Sequence, residues 1–113
     1  MSEIVTVYAT FASEEEAVRI AGILVEERLA ACANILGSCR SIYRWQGAVE
    51  DAREVAALFK TTADGAEALI ARLAALHSYD VPAAVAWPVS AAHAPYALWV
   101  AESVGAEARS PRD

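Results

Sequence analysis

Apolar residues alternate with a period of two from residue 4 to residue 11, which is typical of a strand with one buried face. The face predicted to point into the core carries Val5, Val7, Ala9 and Phe11. Ser13 and Glu16 then form a helix-capping box, after which apolar residues recur at helical spacing. The pattern predicts a helix over about 14–30, followed by a strand that begins near Ala33 and pauses at Gly37.

Residues 40–60 predict a long β-hairpin around the tight-turn dipeptide Gln46-Gly47, with a bend or bulge in its charged middle. A two-residue turn places Arg40 opposite Arg53, whereas one more loop residue places Arg40 beside Glu54. Like charges directly opposite one another cost only about 0.2–1 kcal/mol, so the pattern leaves both registers open.

The second half of the chain repeats the order of helix and strand. Asp64 and Glu67 repeat the capping signature and predict a second helix that ends near His77. Alternating apolar residues predict a strand over 81–89, and Pro95 suits the first position of a last helix. The element order is therefore β-α-β-β-α-β with a C-terminal helix.

This order predicts an α+β fold of the ferredoxin-like, split-βαβ type: an antiparallel sheet with two helices on one face. We expect one domain over residues 1–113, with an ordered core at about 4–105 and a frayed tail after Gly105. The long hairpin offers a free sheet edge, and the domain is rich in large aromatic residues. Both features predict a homo-oligomer; the aromatic residues are Tyr43, Trp45, Trp87, Tyr96 and Trp99.

Charge narrows the classes of partner. The 113 residues carry a formal net charge of -6, and nine scattered Lys and Arg residues do not supply a surface for nucleic acid or an anionic membrane. Residues 81–101 contain no formal charge, but three prolines argue against a membrane helix.

The first residues lack a basic region, so we expect no signal peptide and a cytoplasmic location. Cys32 and Cys39 are predicted to be free thiols in the core.

Several polar residues are candidates for chemistry, each with a purely structural alternative. His77, in the cluster His77–Asp80 at a helix-to-strand junction, is either a metal ligand or a hydrogen-bond donor to the helix end. Lys60 either binds an anion or is an ordinary strand-end lysine. Tyr43 and Trp45 either stack on a ligand or pack within the hairpin. His77 and either cysteine could form a nucleophile pair, but a structural role for the two thiols is favoured. The charged residues of the hairpin, Glu54 among them, are predicted to form an ion-pair ladder.

Five segments taken together resemble the CutA family of divalent-cation tolerance proteins. They follow one another in register from about residue 5 to residue 104. The segments are Ala30-Ala31-Cys32-Ala33-Asn34-Ile35, Ser41-Ile42-Tyr43-Arg44-Trp45-Gln46-Gly47, Glu54-Val55 with Lys60-Thr61, His77-Ser78-Tyr79-Asp80-Val81-Pro82 and Pro95-Tyr96-Ala97-Leu98-Trp99.

The resemblance implies a ferredoxin-like protomer in a homotrimer that is similar to the PII signalling proteins. It implies a role in tolerance of copper or another divalent cation, with no enzymatic reaction and no organic cofactor. His77, Tyr79 and Lys60 would line a cleft between subunits, with Tyr43 and Trp45 near the interface.

The chain departs from the family pattern at three places. Ser78 replaces a proline, Ala83 replaces a frequent glutamate beside His77, and Ala92-His93 replaces Gly-Asn. The lost glutamate weakens the case for a metal site at His77, and His93 is a weaker candidate to replace it. Three hypotheses follow: a metal- or ligand-binding trimeric module, a trimeric scaffold for protein partners that binds metal only adventitiously, and a hydrolase or thiol enzyme.

Overall fold

The computed structural model describes residues 3–105, which form a four-stranded sheet and three helices. The elements are β1 (Ile4–Phe11), α1 (Glu14–Glu26), β2 (Cys32–Trp45), β3 (Ala48–Thr62), α2 (Ala66–Leu76), β4 (Ala84–Pro88) and α3 (Ala94–Ser103). The strand order is β2-β3-β1-β4 with antiparallel neighbours throughout. This is the predicted ferredoxin-like α+β fold. The predicted frayed tail, from residue 106 onward, lies outside the described residues.

The two faces of the sheet have different partners. One face packs against α1 and α2, and its fully buried residues are Val7, Ala9, Phe11, Ala57 and Phe59 from the strands and Ala17, Ile20, Leu24, Leu69 and Leu73 from the helices. The opposite face, which we call the open face, carries Tyr8, Thr10 and Glu54. Helix α3 covers one end of it, over the start of β1, the end of β3 and Cys32 of β2, and its Val100 packs beside Ile4. Apolar burial on the helix side therefore leaves most of the open face available for other contacts.

The limits of α1 and α2 differ from the prediction at two ends. Ser13 caps α1 as predicted, because its Oγ accepts the Glu16 N–H at 3.1 Å. Helix α1 ends at Glu26 rather than near residue 30, since Arg28 adopts a left-handed φ of 62°. The cap predicted at Asp64 is wrong: the N-cap residue of α2 is Gly65, whose N–H donates to Thr62.

The uncharged segment 81–101 divides into a short strand and a helix. Strand β4 covers five residues rather than the predicted nine, since Pro82 has no N–H to donate to the ladder. Helix α3 begins at Ala94, one residue before the predicted Pro95. Within residues 3–105 no helix has the length and apolarity needed to cross a membrane.

The hairpin between β2 and β3 has the two-residue turn. Gln46 and Gly47 both have positive φ, 51° and 86°, as the tightest hairpin turns require. Arg40 consequently lies opposite Arg53. The like charges are separated by their own partners, since the Arg40 guanidinium makes two 2.9 Å hydrogen bonds to Asp51 and Arg53 donates to Ser38.

A bulge in β2 changes which residues face which side. Ile35 lies opposite Ala57 and Gly37 opposite Ala56, so Leu36 is an extra residue, and Gly37 takes a φ of 105°. Odd-numbered residues of β2 face the helices before the bulge and the open face after it. The bulge was predicted in the charged middle of the hairpin, but it lies before that middle, between Ile35 and Gly37. It turns the side chains of Ser41, Tyr43 and Trp45 to the open face.

Truncation of Val7 tests the position of the core. Val7 is fully buried, whereas Val18 on the outer side of α1 is 52% exposed. We expect Val7→Ala to lower the free energy of unfolding by about 2 kcal/mol, and Val18→Ala to change it by less than about 0.5 kcal/mol. Urea denaturation of both variants measures the difference, and equal effects would contradict this core.

Candidate functional site

A cavity of about 520 Å³ opens on the open face, and we call it the open-face pocket. Its wall combines the end of β1, the distal part of the hairpin and the segment that follows α2. Four aromatic side chains line it: Tyr8, Tyr43, Trp45 and Tyr79. Three elements that are distant in sequence therefore build one pocket of the size that small-molecule sites have.

The charges in the lining are negative. Glu54 and Asp80 contribute carboxylates, and no Lys, Arg or His of residues 3–105 belongs to the lining. The remaining wall is small or apolar, with Ala83 at the position where a glutamate had been expected from the family pattern. An acidic, aromatic pocket of this kind favours cations over anions.

Tyr79 and Glu54 form the central polar contact of the pocket. The Tyr79 hydroxyl donates to Glu54 Oε2 at 2.8 Å, and Glu54 is only 9% exposed. Burial, and next the hydrogen bond to the Glu54 carboxylate, raise the pKa of Tyr79 well above its ordinary value. The phenol therefore stays protonated at neutral pH and holds the carboxylate in one orientation.

Tyr8 occupies the floor of the pocket on β1. Its ring stacks on Trp87 of β4, with 5.8 Å between the ring centroids. Burial raises the pKa of Tyr8, with smaller contributions from the Cys39 thiol and the Glu54 carboxylate. Tyr8 is thus a neutral phenol whose position is fixed by the neighbouring strand.

His77 anchors the segment after α2 to β1. Its side chain is fully buried and stacks on Phe11, with 5.0 Å between centroids and 16° between ring planes. Nε2 lies 2.8 Å from the Thr10 carbonyl oxygen, and Nδ1 lies 3.1 Å from the Tyr79 backbone nitrogen. Because the carbonyl only accepts and the N–H only donates, this network assigns the proton to Nε2. Both ring nitrogens are therefore occupied, and the hydrogen bonds hold Tyr79 at the pocket.

Glu16 of α1 secures the same segment from the other side. Its carboxylate accepts hydrogen bonds from the backbone N–H and the hydroxyl of Ser78, both at 2.9 Å. Burial by itself raises the pKa of Glu16, but the two hydrogen bonds from Ser78 are the main interactions that outweigh it and lower the pKa below 4.5. The ionised form of Glu16 is therefore the one that the folded chain stabilises.

The other predicted site residues are not in the pocket lining. Lys60 lies on the open face opposite Cys32, about 20 Å along β3 from Glu54. His93 is exposed at the N-cap of α3. Tyr43, Trp45 and Tyr79 do converge, and their assignment to a ligand site remains a prediction.

The cysteines lie on the open face rather than in the core. Both are half-buried free thiols: Cys32 lies 3.5 Å from the Tyr96 hydroxyl, and Cys39 lies 3.9 Å from the Ser41 hydroxyl. The Tyr96 pKa is raised to about 12, first by burial and then by Cys32. The described contacts of His77 include neither thiol, so His77 and the two cysteines do not form the nucleophile pair considered from the sequence.

The donor atoms do not form a ligand set for a divalent cation. A protein metal site needs about three or four converging ligands. Among residues 3–105, no three side chains of His, Cys, Asp or Glu are grouped in this way. A metal at His77 would also have to break one of its two hydrogen bonds. The donors described in a single chain therefore do not fit a metal at His77 or His93, and the roles of both residues as ligands stay predictions.

Sequence reasoning missed half of the pocket. Glu54 was predicted to belong to a hairpin ion-pair ladder, yet it accepts a hydrogen bond from Tyr79. Tyr8, Thr10 and Ser41 were not singled out as site residues, and Asp80 was considered only as a metal ligand beside His77. The period-two pattern of β1 did place Tyr8 and Thr10 on one face. The pairing of that face with Tyr43 and Trp45 depends on the bulge, for which Gly37 was the only sequence signal.

The fold and pocket define a ferredoxin-like α+β protein with an acidic, aromatic cavity on its open face. The family model described as CutA1 divalent ion tolerance protein matches residues 5–103. The chain belongs to this family, as the sequence resemblance predicted.

Individual relatives agree with this assignment. A divalent-cation tolerance protein CutA from Thermus thermophilus is 47% identical over 105 residues, which cover 93% of this chain and 100% of the relative. The crystal structure of CutA1 from Oryza sativa matches with a TM-score of 0.89 at 33% identity, covering 93% of this chain and 96% of that one. The protein from Archaeoglobus fulgidus, described as a periplasmic divalent cation tolerance protein CutA, matches with a TM-score of 0.86 at 35% identity, covering 90% and 99%.

The Glu16–Ser78 contact predicts a pH-dependent stability difference. Because folding lowers the pKa of Glu16, its contribution is present above pH 4.5 and is lost as the pH falls through the lowered value. We expect Ser78→Ala to lower the free energy of unfolding by about 1–2 kcal/mol at pH 7 and by less at lower pH. Ser90→Ala, at an exposed position, is the control. A Ser78→Ala effect that keeps the same size from pH 7 down to the most acidic pH at which the protein stays folded would contradict the assignment.

Proposed function

We propose that this protein is a non-enzymatic, self-associating module that acts in divalent-cation tolerance and that the open-face pocket is its ligand site. The observation that carries the proposal is the convergence of Tyr43, Trp45 and Tyr79 with the buried Glu54 carboxylate in one cavity. The names of its relatives support the tolerance role. Residues 3–105 of one chain hold no ligand set for a metal, which favours an indirect role in which the pocket responds to a small ligand.

Self-association is supported by the open face and its edge strand. Large apolar side chains remain exposed there: Val85 is 52% exposed and Trp87 is 44% exposed, both on the edge strand β4. Tyr43 and Trp45 are also exposed on this face, near the hairpin end, whereas the exposed Ile42 and Val49 lie on the other side of the hairpin. Apolar patches and free strand edges of this kind are typical of subunit contacts. A homotrimer with PII-like architecture is the assembly that we propose, with a cytoplasmic location.

A scaffold is the second candidate function. The same exposed apolar residues would serve a stable trimer that binds protein partners, and Ala83 removes one carboxylate that a metal site near His77 would use. In this case divalent ions bind only adventitiously. The scaffold and the ligand-responsive module differ in whether the pocket saturates with a small molecule.

A lysine on the β4 edge tests self-association. Val85 and Val18 are both 52% exposed, but Val85 lies on the β4 edge and Val18 on the outer face of α1. Light scattering should give three monomer masses for the wild type and for Val18→Lys, and a lower mass for Val85→Lys, because an edge lysine opposes pairing. A monomeric wild type at micromolar concentration would contradict the trimer.

A titration with Cu²⁺ and Zn²⁺ tests the predicted metal ligands. We expect weak binding of equal affinity in the wild type, His77→Ala and His93→Ala, because no ligand set within the described part of one chain converges on either imidazole. Calorimetry measures affinity and stoichiometry. Saturation near one ion per subunit that is lost in one variant would identify that histidine as a ligand and would replace the pocket as the functional site.

A further inference from the structure

The buried carboxylate of Glu54 lacks a cationic partner. It accepts the Tyr79 hydroxyl, but among residues 3–105 no Lys, Arg or His nitrogen lies within 4 Å of its oxygens. A buried charge is costly unless an opposite charge compensates it, and a single phenol hydrogen bond compensates it only in part. The pocket therefore has a fixed negative group with unused capacity to bind a positive one.

A second carboxylate and four aromatic rings surround the same space. Asp80 adds negative charge at the wall, in a chain whose formal net charge is -6. Tyr8, Tyr43, Trp45 and Tyr79 supply rings whose faces attract cations, and the attraction grows when water is excluded. Since Tyr8 and Tyr79 have raised pKa values, both rings stay neutral phenols at physiological pH. Anions are disfavoured by both carboxylates.

The lining suits an organic cation better than a metal ion. Hard divalent ions need six or more oxygen ligands or waters in a defined geometry, whereas this pocket offers two carboxylates among aromatic and aliphatic walls. Its volume of about 520 Å³ is far larger than one ion requires and lies in the range of small-molecule sites. Val81 and Ala83 add apolar surface to the wall. A ligand with a carbon skeleton gains free energy by burying that surface, whereas a metal ion does not.

We propose that the open-face pocket binds a small organic cation, an ammonium or guanidinium group on a compact apolar body. Glu54 is the charge partner, and the Tyr79 hydroxyl orients its carboxylate. Tyr43 and Trp45, both from β2, pack against the apolar body and cover the charge. The inference rests on the proposed function in taking this pocket as the ligand site, and it adds the chemical class of the ligand.

Tetramethylammonium is the probe, with the neutral tert-butanol as its shape-matched control. Titration by calorimetry at constant ionic strength should show saturable binding of tetramethylammonium, near one per chain, and none of tert-butanol. Glu54→Gln keeps an acceptor for Tyr79 but removes the charge, and we expect its affinity to fall by about tenfold or more. Glu26→Gln changes the net charge equally at an exposed site on α1 and should leave the affinity within about twofold.

A second variant tests the proposal even if Glu54→Gln does not fold. Trp45 is 40% exposed at the end of β2, so Trp45→Leu should fold and should weaken tetramethylammonium several-fold. Equal affinity in the wild type, Glu54→Gln and Trp45→Leu would place the probe elsewhere and overturn the proposal. If tert-butanol bound with the same affinity as tetramethylammonium, the pocket would not require a positive charge on its ligand, and the proposal would be overturned.

Two further outcomes separate this inference from the proposed function. If tert-butanol or Cu²⁺ saturates the pocket and Trp45→Leu abolishes that binding, the pocket remains the ligand site and only the organic cation is wrong. If tetramethylammonium affinity falls as protein concentration rises, with a matching change in mass, a Lys or Arg of a second copy occupies the pocket. That result overturns a free organic cation and leaves self-association intact.

Discussion

The extra residue in β2 determines the composition of the open-face pocket. Leu36 shifts the alternation of the strand by one position, and Gly37, with its φ of 105°, accommodates the bend. Without that shift Tyr43 and Trp45 would point to the helix side of the sheet, away from Glu54 and Tyr8. One backbone irregularity thus brings the aromatic residues of β2 to the same face as the carboxylate of β3.

The pocket is connected to the core through His77 rather than through its own lining. The imidazole lies between Phe11 of the core and Tyr79 of the pocket, and its two nitrogens join β1 to the segment after α2. Each buried hydrogen bond adds about 0.5–1.5 kcal/mol, and leaving one unmade costs more. Glu16 reinforces this arrangement from α1 through Ser78. A residue that looks like a metal ligand in the sequence serves here to position Tyr79.

The open face combines two properties that a monomeric domain rarely keeps together. It carries a buried, partly compensated carboxylate, and it exposes large side chains on β4, Val85 and Trp87, and near the hairpin end, Tyr43 and Trp45. Both raise the free energy of an isolated chain in water, so both favour contact with something else. A ligand in the pocket and neighbouring copies at the sheet edge would relieve these two costs separately. Ligand binding and self-association would therefore use the same face of the sheet, the first because of the buried charge and the second because of the exposed apolar surface.

The element order, the ferredoxin-like class, the Ser13 cap and the family could all be predicted from the sequence, because periodicity, capping and motif order are local properties of the chain. Tyr43, Trp45 and Tyr79 were also found in this way as ligand-site candidates. The hairpin register, the end of α1 at Glu26 and the pairing of Glu54 with Tyr79 depend on contacts between distant segments and became visible only in the folded chain. Charge repulsion between Arg40 and Arg53 was too weak to fix the register, and Asp51 and Ser38 relieve it through contacts that spacing does not reveal. His77 shows the same limit: its residue type permits metal binding, but the partners that occupy its nitrogens, the Thr10 carbonyl and the Tyr79 amide, are set by the fold.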